Sequence, residues 1–344
     1  MTIDVARSGG RFLEVDVPMD HRHTGRSVSG FAHRGRQGID IAAALWPRVT
    51  SRTTRRAALL ISTALLCIVA MVLGSSQIPT TTALGSSPDR VLVFGMQPLS
   101  FDDLDRGVTP NLQRLIDEGS IGAMSARTVV RRPNDGEGYL SLGAGARLRA
   151  GSLMEEVIRS DTPVGAATAA DYVASYTGLS PEGDFVVMGG ASIIARNDNA
   201  DAASTPGALG DALRASGMVG AVVGNSDQPA GYTSDGFLSR PAALAVMNGD
   251  LGVDRGHLDA EDVLEPVQGT AFGVRADADA VVSAAVSELE RSELVVVDPG
   301  DLARAARFEQ AALPAAAEGE WEAALGRTDE MLGRIVDQVD SDTL

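Results

Sequence analysis

The spacing of apolar residues predicts that strands and helices alternate from residue 90 onward. Short runs rich in branched residues are typical of strands buried in a parallel sheet, and these runs are 90–94, 218–223 and 294–298. Apolar residues at helical spacing predict helices at 109–119, 137–143, 206–215, 277–291 and 318–339. This order favours an α/β fold whose doubly wound, mostly parallel sheet carries helices on both faces.

The helix predicted at 109–119 has clear start and stop signals. Thr109 can cap its first turn, Pro110 suits the first helical position, and Gly119 suits the end. We therefore expect the Thr109 side chain to hold the N-terminus of this helix.

A separate apolar stretch predicts a membrane anchor before this domain. Residues 57–74 contain no charged side chain across eighteen positions, which is long enough for a transmembrane helix. Arg52, Arg55 and Arg56 directly precede the stretch, and this positive charge predicts that the N-terminus is cytoplasmic. The alternatives are a cleaved signal peptide, a buried soluble helix and a downstream start that removes the anchor.

The anchor divides the chain into four predicted parts. Residues 1–56 form a basic, disordered cytoplasmic tail, 57–77 a single-pass anchor, 78–89 a linker and 90–344 the α/β domain. The main domain is then extracytoplasmic at the cell membrane, and the lipid bilayer is the partner of residues 57–77. No strand follows the last predicted helix, so we expect the α/β domain to be incomplete and to aggregate when residues 86–344 are expressed alone.

Composition and charge narrow the possible functions. All 29 basic residues among the 344 are arginine, and the lack of lysine excludes a Walker A loop, a protein kinase and a pyridoxal-phosphate enzyme. The net charge is −17, although residues 1–56 carry ten arginines against five acidic residues. The strongly acidic remainder and an aromatic content of 4% disfavour nucleic acid as a partner.

Several segments together resemble a known family. VLVFG and TPNLQRLIDEGSIGAMS are followed by YLSLGAGAR, and then by LGDALRASGMVGAVVGNSD, RPAALAVMNGD and ELVVVDPGDLAR. From about residue 90 to its end, the chain resembles the alkaline-phosphatase superfamily, and in particular a bacterial membrane-attached branch. The resemblance implies two metal ions, usually zinc, in active members. It also implies an aspartate ligand after the first strand and a hydroxyl or thiol nucleophile before the helix at YLSLG.

The two positions that this resemblance singles out carry unsuitable residues. Met96 stands where the metal-binding aspartate is expected, and Asn134 or Asp135 stands where the nucleophile is expected. A thioether and an amide cannot replace a carboxylate ligand and a hydroxyl nucleophile. We therefore expect a catalytically inactive, phosphatase-like domain with no catalytic residue, metal ligand or cofactor, which acts as a binding or scaffold module at the cell envelope.

Two alternatives stay open. One is a metal-dependent hydrolase of phosphate or sulfate esters with an atypical nucleophile and two divalent ions, usually zinc, in which Asp135, Asp102 or Ser141 fills a missing role. The other is a structural subunit of a membrane complex with no ligand of its own. Under the main hypothesis, Asp102 and Asp103 lie on a surface loop, and so does His257, the only histidine of the domain.

Candidate ligand-binding residues follow from the expected fold. Ligands of open α/β sheets bind beyond the carboxyl ends of the strands, here at 95–103, 224–228 and 298–301, with the loop 131–138 joining them. The polar residues of these segments that we expect to contact a ligand are Asn134, Asp135, Asn225, Asp227, Asp298 and Asp301. The expected ligand is an envelope protein or a small anionic molecule.

Overall fold

The computed structural model describes residues 89–120, 122, 128, 134–151, 154–198, 205–229, 238–339 and 343. The predicted tail, the predicted anchor and all but the last residue of the predicted linker lie outside these described residues. Within the described ranges, no helix is both long and apolar enough to cross a membrane.

The strands of the described residues are short. They are β1 (Val91–Phe94), β2 (Val157–Arg159), β3 (Pro163–Val164), β4 (Ala167–Thr168), β5 (Phe185–Val187), β6 (Gly220–Val223), β7 (Gly252–Val253), β8 (Arg255–His257), β9 (Leu264–Pro266), β10 (Val274–Ala276) and β11 (Leu294–Val297). The three strands predicted from the sequence are confirmed as β1, β6 and β11.

The helices confirm all five that the apolar spacing predicts. They are α1 (Phe101–Leu104), α2 (Pro110–Glu118), α3 (Asp135–Ala144), α4 (Ala169–Thr177), α5 (Gly190–Asn197), α6 (Ala208–Ala215), α7 (Ala243–Val246), α8 (Ala260–Val263), α9 (Ala278–Leu289), α10 (Asp301–Phe308) and α11 (Pro314–Val336), with a 3₁₀ turn at Ala271–Gly273. The predicted helices correspond to α2, α3, α6, α9 and α11. The last of them begins earlier than predicted because Pro314 suits its first turn.

Four strands form a parallel sheet in the order β1, β11, β6, β8. Val91 pairs with Leu294, and Leu294 pairs with Gly220, so the three predicted strands lie side by side. Strands β6 and β11 are buried along their whole length, which explains their continuous apolar sequences. The fold is therefore mixed α/β with a mostly parallel sheet, as predicted.

Two apolar clusters pack on alternate residues of this sheet. Val222 belongs to a cluster that includes Leu140 of α3. The next residue, Val223, belongs to a second cluster with Val281 of α9 and Met331 of α11. Successive side chains of a strand point to opposite faces, so each face has its own core. Full burial of one such aliphatic side chain stabilises the folded state by about 1.5–3 kcal/mol.

A three-stranded antiparallel sheet in the order β2, β5, β7 adds to the first of these cores. Val157, Phe185 and Val253 come from its three strands and join the same apolar cluster as Leu140. Strands of two or three residues are too short to show alternation of apolar and polar positions, and this sheet was not predicted from the sequence for that reason.

A residue distant in sequence holds the N-terminus of α2. The Thr109 side chain makes no capping hydrogen bond. Instead, the Asp329 carboxylate of α11 accepts hydrogen bonds from the backbone N–H groups of Asn111 at 3.0 Å and Leu112 at 2.8 Å. The expectation that Thr109 caps this helix is therefore wrong, because a buried carboxylate takes the free donors of the first turn.

Candidate functional site

The parallel sheet brings several polar segments together at its carboxyl edge. Gly95, Gly224 and Asp298 directly follow β1, β6 and β11. The segments touch, since a Cβ atom added to Gly224 would lie 2.1 Å from the Asp298 carbonyl oxygen. The ionisable side chains that interact beyond this edge are called here the carboxyl-edge cluster and comprise Asp135, Tyr139, Glu155, Asp298 and Arg307.

Asp298 and Tyr139 form the most buried pair of this cluster. The Tyr139 hydroxyl donates a hydrogen bond of 2.7 Å to Asp298 Oδ2, and the backbone N–H of Gly300 donates one of 2.9 Å to Oδ1. Burial, opposed by these hydrogen bonds and reinforced by the charge of Asp135, raises the pKa of Asp298 to about 6. Burial also raises the pKa of Tyr139 well above its ordinary value.

The position of Tyr139 depends on a glycine. A Cβ atom added to Gly95 would lie 1.8 Å from the Tyr139 hydroxyl, so any larger residue after β1 would displace the ring. Helix α3 places Tyr139 one turn after Asp135, so both side chains approach the same edge of the sheet. The sequence spacing from Asp135 to Tyr139 is the signal that could have identified this tyrosine.

Arg307 of α10 interacts with three carboxyl groups. The charges of Asp135, Glu155 and Asp298 raise its pKa, whereas burial, the larger effect, lowers it. Its guanidinium also donates a hydrogen bond to the backbone carbonyl of Ser226. Burial raises the pKa of Asp135 and of Glu155, and the charge of Arg307 opposes both shifts. Arg307 therefore faces three carboxyl groups whose pKa values are raised by burial.

Glu155 links the cluster to the loops around it. Its carboxylate accepts hydrogen bonds of 3.0 Å from the backbone N–H of Gly136 and from the Ser239 hydroxyl. The first of these donors belongs to the first turn of α3, so Glu155 also stabilises the N-terminus of that helix. No signal in the sequence identifies Glu155 or Arg307, because both reach the site only through tertiary folding.

Asp227 is committed to a buried ion pair beside the cluster. Arg240 contacts Asp227 Oδ2 through Nη2 at 3.1 Å and Asp259 Oδ1 through Nη1 at 3.1 Å. The backbone N–H of Ser239 donates a hydrogen bond of 2.7 Å to Asp227 Oδ1. The Asn225 side chain is likewise bound within the fold. It donates a hydrogen bond to the Leu258 carbonyl and accepts one from the backbone N–H of Asp227.

Asp301 lies in a second internal network at the start of α10. Its Oδ1 atom accepts from Arg304 at 2.7 Å and from the backbone N–H of Ala276 at 2.9 Å, and Oδ2 contacts Arg327 at 2.9 Å. Asp301 and Arg304 are both about 1–2% exposed. The carboxylate therefore joins three segments of the fold and is directed away from solvent.

Asn134 is the residue that caps helix α3. Its side-chain oxygen accepts a hydrogen bond of 2.8 Å from the backbone N–H of Glu137, and its amide nitrogen contacts the Ala150 carbonyl at 3.4 Å. In the same helix, the Ser141 hydroxyl accepts a hydrogen bond from the backbone N–H of Leu148. Both side chains thus have structural partners.

The segment after β1 differs in one respect from the sequence-based expectation. Asp102 is exposed as expected, but Asp103 is 4% exposed, so its assignment to a surface loop is wrong. Asp103 is drawn inward because it accepts hydrogen bonds from Ser100 and from the Trp321 indole. Met96, in the same segment, packs against the apolar cluster of α10 and α11 that includes Leu302.

Of the six candidate residues, the structure brings Asp135 and Asp298 together in one cluster. Asn134, Asn225, Asp227 and Asp301 lie nearby in sequence or space, and each is engaged by neighbouring backbone or side chains. The cluster itself can accept hydrogen bonds and can bind or release a proton near pH 6 at Asp298.

A metal centre at the described positions would need a group of ligating side chains. Within those positions, no three histidine, cysteine, aspartate or glutamate side chains are arranged to bind one. His257 was expected on a surface loop, but it lies on β8 and pairs with Val223 of β6, so that expectation is wrong. Its side chain is 37% exposed, with Nε2 3.4 Å from Glu288 Oε1. The chain matches no protein-family model, no curated protein and no solved structure.

Proposed function

We propose that this chain is a membrane-anchored, extracytoplasmic domain that acts as a binding or scaffold module at the cell envelope rather than as an enzyme. The proposal takes the domain to be doubly wound and similar to the alkaline-phosphatase superfamily, and residues 57–77 to be its anchor. The carboxyl-edge cluster is the region proposed to contact a ligand or partner.

The surroundings of Met96 and Asn134 carry the proposal. The thioether of Met96 packs among apolar side chains of α10 and α11, and the Asn134 amide caps α3. Each residue has a structural role at a position where a resembling enzyme would need a metal ligand or a nucleophile. A serine or threonine could cap α3 as Asn134 does, whereas an aspartate at position 96 would place a carboxylate against an apolar cluster. The surroundings of Met96 therefore support a domain maintained for its fold rather than for hydrolysis.

The charges of the cluster indicate which ligand it favours. The three carboxyl groups of the cluster outnumber the guanidiniums of Arg307 and Arg304, whose charges act on them, so the cluster disfavours an anionic ligand. We therefore favour an envelope protein that presents hydrogen-bond donors or positive charge over a small anionic molecule. The Ser226 hydroxyl adds a buried polar atom that makes no hydrogen bond within the described residues, and such atoms usually find a partner.

The test of the proposal is the metal content and turnover of the purified full-length chain. We expect less than one equivalent of zinc or manganese per chain and no hydrolysis of an aryl phosphate or an aryl sulfate above buffer. Asp135→Asn alters the cluster, and Asp102→Asn at an exposed position is the matched control. Two metal ions per chain, with turnover that Asp135→Asn abolishes and Asp102→Asn retains, would replace the proposal with the hydrolase.

One observation favours that second candidate. Asp135 is the first residue of α3, interacts with Arg307, and lies near a carboxyl group with a pKa of about 6. A nucleophilic carboxylate beside a proton donor is an arrangement used for ester hydrolysis. In this candidate an Asp135 oxygen would attack the phosphorus or sulfur atom, and the bond to the leaving alcohol would break as Asp298 protonates that oxygen. Water would then hydrolyse the resulting mixed anhydride and restore Asp135.

A further inference from the structure

A groove between α1, α10 and α11 is lined by residues outside the carboxyl-edge cluster. This half-open groove has a volume of about 480 Å³, which is within the range of ligand-binding pockets. We propose that this groove binds a basic, amphipathic peptide segment of a partner protein. The inference does not depend on whether the chain is an enzyme.

The floor of the groove is made by small side chains. The alanines that line it are Ala305 and Ala306 of α10, Ala312 of the connection between α10 and α11, and Ala317 of α11. Four methyl groups leave open space where larger side chains would meet, and their surface is apolar. This space suits an aliphatic side chain of a partner, since burying an apolar group in an apolar pocket is favourable.

Trp321 forms one wall and is held in place. Its indole N–H donates a hydrogen bond of 2.7 Å to Asp103 Oδ1. The other oxygen of that carboxylate accepts hydrogen bonds from the backbone N–H and the hydroxyl of Ser100 at 2.8 and 2.6 Å. The wall is therefore ordered before any partner arrives, which reduces the entropy that binding must lose.

Two exposed apolar residues are direct chain neighbours of residues that line the groove. Among the described large apolar residues, Leu313 is 80% exposed and Phe101 is 69% exposed, the two highest values. Leu313 adjoins the lining residue Ala312, and Phe101 adjoins the lining residue Ser100. Exposed apolar side chains beside a pocket are typical of protein-binding surfaces.

The charge of the groove selects a cationic partner. Three carboxylates, from Asp103, Glu309 and Glu318, line it together with a single guanidinium, that of Arg106. Arg106 forms salt bridges with Asp103 and Glu318, which leaves the charge of Glu309 unneutralised within the described residues. An anionic lipid surface or a nucleic acid would be repelled, whereas arginine or lysine side chains on either side of an apolar anchor would be attracted.

The experiment measures binding of a short probe to the purified full-length chain. The probe is a fluorescently labelled hexapeptide of three leucines and three arginines, and a glutamate-for-arginine version is its comparison. Leu313→Ser with Glu309→Arg removes one apolar side chain and reverses one charge. The matched control, Met218→Ser with Glu290→Arg, makes the same changes at exposed positions outside the groove.

We expect the groove variant to bind the basic probe at least tenfold more weakly than the unmodified chain, and the control variant to bind it as the unmodified chain does. The comparison between variants removes any contribution of probe binding to detergent. All four substitutions lie at exposed positions, so loss of folding does not explain a difference. Equal affinities of the two variants, or equal binding of the acidic probe, would overturn the proposal.

Discussion

Asp298 shows how a single residue acquires its properties from its surroundings. In the sequence it is an aspartate that follows an apolar run. In the fold it lies under the Tyr139 hydroxyl, beside the backbone of Gly224, and within the electrostatic influence of Asp135. Its pKa is about 6 because burial disfavours the carboxylate more than two hydrogen bonds favour it.

This shift predicts a pH dependence of stability. The pKa of Asp298 rises from 3.8 to about 6 on folding, so the folded chain binds more protons between these values than the unfolded chain. The contribution of Asp298 to the free energy of unfolding is therefore fully present below about pH 4 and is lost as the pH rises through about 6. The size of the loss is roughly 3 kcal/mol for this group.

Asp298→Asn tests this dependence. The amide keeps the shape of the side chain and carries no charge. Between pH 4 and pH 7, the free energy of unfolding, measured in urea, should therefore fall by roughly 3 kcal/mol less for the variant than for the unmodified chain. Asp102→Asn at an exposed position is the control and should follow the unmodified chain. Identical pH profiles for Asp298→Asn and the unmodified chain would show that this carboxyl does not carry the dependence.

Helix α2 shows the same dependence on context at the scale of an element. Its limits were predicted from Pro110 and Gly119, and both lie where expected. Its capping was predicted wrongly, because the carboxylate that binds its free N–H groups comes from α11, more than two hundred residues later. The close approach of these two helices is possible because Gly333 has no side chain, since a Cβ atom there would lie 2.3 Å from Asn111.

Removal of this tertiary cap should destabilise the fold. Asp329→Ala leaves the N–H groups of Asn111 and Leu112 without an acceptor, and we expect a loss of about 2–3 kcal/mol in the free energy of unfolding. Thr109→Val, which removes a hydroxyl and keeps the volume, should cost less because Thr109 makes no capping bond. Urea unfolding of both variants measures the difference, and a larger loss for Thr109→Val would contradict this account.

The organisation of the whole molecule depends on the parallel sheet having a separate apolar core on each face. The two cores contain different helices, since α3 and α7 contribute to one and α9 and α11 to the other. Because β11 lies between β1 and β6, the late part of the sequence separates two earlier strands. The segments after these three strands therefore meet at one edge, where the carboxyl-edge cluster lies.

At this scale the proposed anchor makes a topological prediction. The arginines before residue 57 should retain the N-terminus in the cytoplasm, so everything after residue 78 should be outside. A reporter that is active only outside the cytoplasm, fused after Thr82, should be active. The same fusion with a reporter that works only in the cytoplasm should be silent, and activity there would rule out this orientation.

Apolar periodicity predicted the central elements well. Buried strands such as β6 and β11 are continuous apolar runs, and helices such as α9 repeat apolar residues at the helical spacing, so both patterns are local and visible in sequence. The short antiparallel sheet of β2, β5 and β7 was missed because its stability comes from pairing between distant segments and not from any local pattern.

The candidate site likewise contains some residues that the sequence identified and others that only the fold brings together. The sequence alone placed Asp298 directly after a strand and Asp135 in the loop 131–138 beside it, because parallel strands direct their carboxyl ends to the same side. Only the tertiary structure decided that Tyr139, Glu155 and Arg307 join them, while Asp227 and Asp301 are bound by Arg240 and by Arg304. For the central strands and the helices, element type is set by interactions between near neighbours in the chain. The short antiparallel strands, charge pairing and burial depend on which distant segments the fold brings into contact.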